Sequence, residues 1–142
     1  MMNALAKAAP RGAGGISCEP FFTGTRAEPG CRASWTNISD ESFTPANMIR
    51  ALLEGMAHAF HEGYQLIQEA TKAPCVRLVG AGNGVRENPV LAGIISEEFG
   101  LPLAVPAHRE EAAYGAALTA ALGVGIFRDL ADAGKTIRYN KV

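Results

Sequence analysis

The sequence predicts an α/β fold: a small sheet flanked by helices, with the sheet incomplete. Three observations predict it. In the second half of the chain, short apolar runs alternate with helical stretches, the pattern of β-α units with at least one parallel strand pair. Apolar residues recur at three- and four-residue steps from Ile49 to Ile67, the period of one long amphipathic helix. Only two or three convincing strands can be found, and so few cannot easily bury long helices on both faces.

The elements follow in order. Residues 1–15 form an N-terminal segment: a short helix over "NALAKAA", ended by Pro10, then a turn at Gly12, Gly14 and Gly15. The domain proper covers residues 16–142. It opens with "ISCEPFF", a strand that Pro20 demotes to an edge or a bulge, because proline cannot donate to a ladder. "TGTRAEPGCRASWTNISDESF" has turn residues throughout and no period, and long loops of this kind are often functional. Thr44-Pro45 starts the long helix: the hydroxyl can cap free N–H groups, and proline at the first helical position loses nothing. Ile49, Leu52, Leu53, Met56, Phe60, Tyr64 and Ile67 make one stripe on a helix running to about Thr71, closed by Pro74. "CVRLVG" is a short buried strand. After a glycine turn, "ENPVLAGIISEEFG" reads as a helix with Asn88 near its cap, Pro89 in the first turn and Gly100 past its end. "LPLAVP" is a strand bounded by prolines, and "REEAAYGAALTAALGVG" is a helix whose small residues admit a neighbouring backbone. The tail, "IFRDLADAGKTIRYNKV", holds one more weak helix.

Bulk properties exclude several classes. A chain of 142 residues, 48% hydrophobic and 19% charged, is one globular domain. A formal net charge of -1 gives no basic excess for nonspecific nucleic-acid binding. No apolar run reaches membrane-spanning length, and the first residues lack the continuous apolar core of a secretory signal. Cys18, Cys31 and Cys75 are odd in number and lack metal-ligand spacing, so reduced thiols and a cytoplasmic location are expected.

The candidate site is "LVGAGNGVRENP". Gly80, Gly82 and Gly84 permit positive φ and close approach to the backbone, and a helix start follows. No Lys-Ser/Thr pair follows as in a phosphate loop, and Val85 stands where the dinucleotide fingerprint needs its last glycine. Nucleotide contact and a plain strand-to-helix bend both remain open on spacing. His58 and His61, with Glu62 beside them, could share a metal, but they read as a solvated helix face turned away from Met56 and Phe60. His108 lies before a helix whose dipole Glu110 and Glu111 would complement. Arg26 and Arg32 share the long loop with Gly24, Glu19 and Glu28, where a guanidinium binds an anion or locks the loop on a carboxylate. Spacing identifies no catalytic residue and no metal ligand.

Three segments together resemble the C-terminal part of the FGGY carbohydrate kinases: "EPFFTGTRAEP", "LVGAGNGVRENPVLAGIISEEFGLPLAVP" and "EEAAYGAALTAALGVG". They stand in the family's order over about residues 14–128, and within the family the wording is most similar to the sedoheptulokinases. The resemblance implies a partial actin-like (ribonuclease-H-like) ATPase domain and transfer of the ATP γ-phosphoryl, with Mg²⁺, to a ketose hydroxyl. It implies that Gly80, Gly82, Asn83, Gly84 and Asn88 face the adenosine part, with Asn88 on the adenine. Gly115 would let its helix pack near that site, and Arg26 would support its loop. The turn is two residues longer than the family's. The family's Asp-x-Gly-Thr phosphate loop is not in this sequence; the nearest stretch, "TGTR", has Thr23 in place of the aspartate. The resemblance therefore implies a nucleotide-facing fragment, inactive alone, or a subunit that completes a separately encoded kinase half or self-associates.

Overall fold

The computed structural model describes residues 2–141. Along the chain lie α1 (Met2–Ala8), β1 (Ser17–Glu19), β2 (Ser34–Thr36), α2 (Pro45–Thr71), β3 (Leu78–Val79), α3 (Asn83–Arg86), α4 (Pro89–Phe99), β4 (Leu103–Pro106), α5 (Glu111–Gly123), α6 (Leu130–Gly134) and β5 (Tyr139–Lys141). β1 and β2 form an antiparallel ribbon, and a separate three-stranded sheet has the order β3-β4-β5. β3 runs parallel to β4, with Leu78 beside Leu103, and β5 is antiparallel to β4. The small α/β architecture and its parallel pair are as the sequence predicts.

Local chemistry explains the helix boundaries. Thr44 Oγ1 accepts the Asn47 N–H at 3.2 Å, Pro45 takes the first helical position, and Lys72 ends α2 in the left-handed region at φ 54°. Asn88 Oδ1 accepts the Leu91 N–H at 3.0 Å to cap α4, and Gly100, at φ 62°, ends it. β1 stops at Glu19, the residue before Pro20, as a ladder must.

The main core joins α1, the first half of α2, α4 and β4. Leu53 and Ala57 of α2 meet Leu91, Ile94 and Ile95 of α4, Leu103 of β4 and Ala6 of α1, all buried. A second cluster seats β1 on α2 through Ile16, Cys18 and Ala51, and Trp35 Nε1–H donates to the Met48 carbonyl at 3.2 Å. Gly55 permits this approach: a Cβ there would run into the Cys18 carbonyl, 3.1 Å from its carbon. Burial, and secondarily Glu19, pushes the Cys18 thiol up to about 11.

Four sequence expectations need correction. The long apolar stripe is only half a core face: Phe60 is 54% and Ile67 61% exposed. Phe60 faces an open cleft beside β3, and for Ile67 the cause is length. The 27 residues of α2 span about 40 Å and the 11 of α4 only about 16 Å, so α4 cannot cover the distal turns. The solvated face holds for His58 and Glu62, at 62% and 60% side-chain exposure, but not for His61, at 25%. His61 packs at 5.0 Å on the Phe99 ring, and both His58 and His61 turn to Glu98 of α4, at 3.0 and 3.7 Å. The periodless loop contains β2, paired with β1 through Cys18 and Trp35. The tail holds the expected short helix, α6, and also β5, whose partner β4 lies far back in the chain.

Candidate functional site

The parallel pair sets the position of the site. In an open parallel sheet, loops leaving the carboxyl ends of adjacent strands meet outside the sheet and form the ligand-binding rim. Here those loops are the glycine turn after β3 and residues 107–110 after β4.

The turn's glycines differ in role. Gly80 continues the ladder, its N–H donating to the Ala104 carbonyl at 2.9 Å. A Cβ on Gly80 would lie 2.9 Å from Val85 Cγ1 and 3.2 Å from the Leu103 methyls, so its missing side chain serves interior packing. Gly82 has φ 92° and ψ 160°, a conformation for which only glycine is suited, and a Cβ there or on Gly84 would meet open space. Asn83 is exposed between them. Asn88 closes the turn, its Oδ1 engaged in capping α4. All five sequence-predicted residues therefore lie on one turn, with Gly82, Asn83 and Gly84 on its open side.

One feature of the rim was missed by sequence reasoning. Arg86, only 13% exposed at its side chain, donates from Nη1 to the Pro106 carbonyl at 2.9 Å and from Nη2 to the His108 carbonyl at 2.8 Å. Its Nη2 also bonds Glu111 Oε1, and the same oxygen accepts the Gly82 N–H at 3.4 Å. Glu111 does begin α5, as the dipole argument expects, but it also ties both loops together. Its own backbone amide first, then Arg86 and the Gly82 amide, hold the Glu111 carboxyl below the usual carboxylate range. His108 stacks on Tyr114 at 3.8 Å, and the Tyr114 hydroxyl reaches Thr136 Oγ1 at 2.9 Å. The sequence signal for the clasp was opposite charge at the ends of two strands expected to be parallel.

Other candidates are placed differently. Arg32 locks its loop on backbone carbonyls, Pro29 at 3.0 Å and Cys31 at 2.6 Å, rather than on a carboxylate. Gly24, at φ 84°, lets the loop fold against Pro29, while Arg26 is exposed. Nothing lies within 4 Å of where a Cβ on Gly115 would be, and α5 buries none of its residues. Beside the turn, between α2 and β3, lies an apolar cleft of about 250 Å³ lined by Phe60, Val79, Val85 and Phe99. A larger cleft of about 600 Å³ between the N-terminal segment, α2 and α4 includes no residue of the turn. Its charges largely satisfy one another, Arg50 meeting Glu54 at 2.6 Å.

Comparison with known proteins gives the same direction. Residues 1–124 match the C-terminal domain of the FGGY family of carbohydrate kinases. Xylulose kinase of Haemophilus influenzae is 37% identical over 84 residues, which are 57% of this chain and 17% of that protein. Glycerol kinase of Trichormus variabilis is 32% identical over 117 residues, 80% of this chain and 23% of its own. The crystal structure of xylulose kinase from Rhodospirillum rubrum superposes with a TM-score of 0.83 at 32% identity, over 99% of this chain and 28% of that one. Plasmodium falciparum glycerol kinase with ADP superposes at 0.77 over 95% of this chain and 27% of its own, and at 23% identity this likeness concerns the fold. This chain thus spans 17% and 23% of the length of those two curated relatives. With the family match running through residues 1–124 and the fold shared with solved sugar kinases, this chain belongs to the FGGY family of carbohydrate kinases, as its C-terminal domain, and forms part of the actin-like ATPase fold.

Proposed function

We propose that this chain supplies the nucleotide-facing side of an ATP-dependent carbohydrate kinase that phosphorylates a ketose, with sedoheptulose as the specific candidate. The observation that carries the reading is the open glycine turn at the carboxyl end of a parallel strand pair, in a chain of this family. Asn83 and Gly84 offer their exposed backbone to the nucleoside, Gly82 bends the chain toward it with its N–H on Glu111, Gly80 sets the floor of the turn, and Asn88 presents its amide nitrogen to the adenine while its oxygen caps α4. The relatives named for xylulose, itself a ketose, favour that sugar class.

Phosphoryl transfer depends on positioning, on charge neutralisation at the phosphates and on a base that orients the sugar hydroxyl. Mg²⁺ belongs to the phosphate end of ATP, where one or two carboxylates, water and the phosphate oxygens would hold it. In this reading the chain binds and orients the nucleoside, and sugar turnover requires the phosphate-handling half of the family's site. The test is a titration with ATP read at the backbone amides, beside a coupled assay with a ketose panel. Shifts centred on Gly82 and Asn83 with no turnover are expected; a turn silent at millimolar ATP would overturn the reading.

A second reading, a subunit that completes a separately encoded kinase half, draws support from the sheet edge. β3 pairs only with β4 among the described strands, and beside it Val76 is 89% exposed along with the uncovered end of α2. An in-frame N-terminal half immediately upstream in the genome would favour it, and a genome without one would remove its support.

A further inference from the structure

α5 buries none of its residues in the core, so the large side chain of Tyr114 is explained by what it touches. Its ring lies flat against the His108 ring, 3.8 Å away and within 12° of parallel. Its hydroxyl donates to Thr136 Oγ1 at 2.9 Å, and the Thr136 hydroxyl donates in turn to the Ala133 carbonyl of α6 at 2.8 Å. His108 Nε2 is buried without a hydrogen-bond partner. That burial costs stability, and stacking on Tyr114 offsets it. The backbone of the same loop holds Arg86: the His108 carbonyl accepts Nη2 at 2.8 Å and the Pro106 carbonyl accepts Nη1 at 2.9 Å. Arg86 ends α3, the single helical turn after Gly82, and its own N–H donates to the Gly82 carbonyl at 3.1 Å. A continuous line of contacts thus runs from α6 through Tyr114, His108 and Arg86 to the glycine turn.

We propose that Tyr114 is a positioning residue for this rim: by stacking on His108 it fixes the loop after β4, whose carbonyls hold Arg86 and with it the short helix that closes the glycine turn. α6, which anchors the Tyr114 hydroxyl, is by the same route a remote support of that turn. The effect of Tyr114 on nucleotide affinity rests on the nucleotide reading above; its effect on the turn does not.

The experiment is backbone amide hydrogen exchange in the 142-residue chain, read at Arg86 and Glu87, whose N–H groups close α3 on the Gly82 and Asn83 carbonyls. Tyr114→Ala should speed exchange at both amides by about three- to tenfold, the factor that an aromatic pair contributes, while Leu53 and Ala57 in the core of α2 exchange as before. Tyr114→Phe keeps the stacked ring and should retain most of the protection. His108→Ala removes the other ring, leaves the carbonyl that holds Arg86, and should loosen α3 as Tyr114→Ala does; it carries the same prediction if Tyr114→Ala is too unstable to study. ATP titrated into the same chains should bind more weakly to the two alanine variants than to Tyr114→Phe. Unaltered exchange at Arg86 and Glu87 in both alanine variants would overturn the proposal, as would equal loosening in Tyr114→Phe. Faster exchange at Leu53 and Ala57 to the same degree would also sink it, because the whole fold would then have loosened. Measurable but equal ATP affinity in all these chains would remove the positioning role. Failure of ATP to bind any of them, with the exchange contrast intact, would count against the nucleotide reading and not against this one.

Discussion

Gly55 and Gly63 lie on the same helix, and alanine at the two positions should have opposite effects. Helix propensity treats them alike: replacing an interior glycine by alanine stabilises a helix by about 0.8–1.0 kcal/mol. Around Gly63 there is open space, so Gly63→Ala should realise that gain. At Gly55 the added methyl runs into the Cys18 carbonyl, a backbone group held in the β1–β2 ladder that cannot rotate aside. β1 must retreat by roughly 1 Å to regain an ordinary carbon contact of about 3.5–4.0 Å. That retreat unseats Ile16 and Cys18 from Ala51, an overpacking cost of about 1–3 kcal/mol. Packing therefore outweighs propensity, and Gly55→Ala should be neutral to destabilising by about 2 kcal/mol.

The assay is urea unfolding of the two single variants beside the unaltered chain. Subtracting one stability change from the other cancels the propensity gain and leaves the contact with β1, so the difference should be about 1–3 kcal/mol against Gly55→Ala. If Gly55→Ala stabilises as much as Gly63→Ala, β1 is not seated on α2 as described, and the entry into the long loop must be redrawn.

Two further outcomes follow from side chains near the site. Asn88→Ala should cost about 1 kcal/mol in urea unfolding through loss of the α4 cap, while Asn88→Ser keeps the cap; if nucleotide affinity falls in both variants, the amide itself contacts the ligand, and if stability is unchanged in the alanine variant the cap is unimportant. The His58 pKa is raised by its hydrogen bond to Glu98, with Glu62, the Glu98 charge and Glu19 adding to this against a lowering by burial. A raised histidine pKa stabilises the fold fully below the unfolded value, about 6.5, and loses that contribution as pH rises through the folded value. Unfolding stability should therefore decline slightly as pH rises above about 6.5, and His58→Gln should flatten that slope; with the side chain 62% exposed the effect is small, and an unchanged slope would show that Glu98 does not hold His58.

What the sequence made legible was local. Thr44-Pro45, Asn88-Pro89 and Gly100 mark helix ends because capping is decided within four residues, and the structure places each at its cap. β5 was not legible, because Tyr139–Lys141 becomes a strand only by pairing with β4, which no local pattern encodes. The candidate turn was legible from its glycines, but their division of labour was not. Gly80 is needed for Leu103, which lies beyond an intervening helix, and Gly82 for its own backbone angles. Arg86 escaped notice for a related reason: its partners lie at the far end of a second strand, and only the parallel register brings them within reach.

The stripe on α2 joins these points. Its period was read correctly, since a helix does run from Pro45 to Thr71, yet period states only that a face is apolar and not that this chain covers it. Leu66 and Ile67 lie past the end of α4, Phe60 faces the open cleft beside β3, and all three stay largely exposed. Full burial of a side chain of this size is worth about 1.5–3 kcal/mol, a sizeable fraction of an ordinary domain's net stability of about 5–15 kcal/mol. A polypeptide that covered this face and paired with the β3 edge would stabilise the long helix and the floor of the glycine turn together, because Phe60, Val79 and Val85 line the same apolar cleft. Completion of the fold and firmness of the glycine turn are therefore coupled through that cleft.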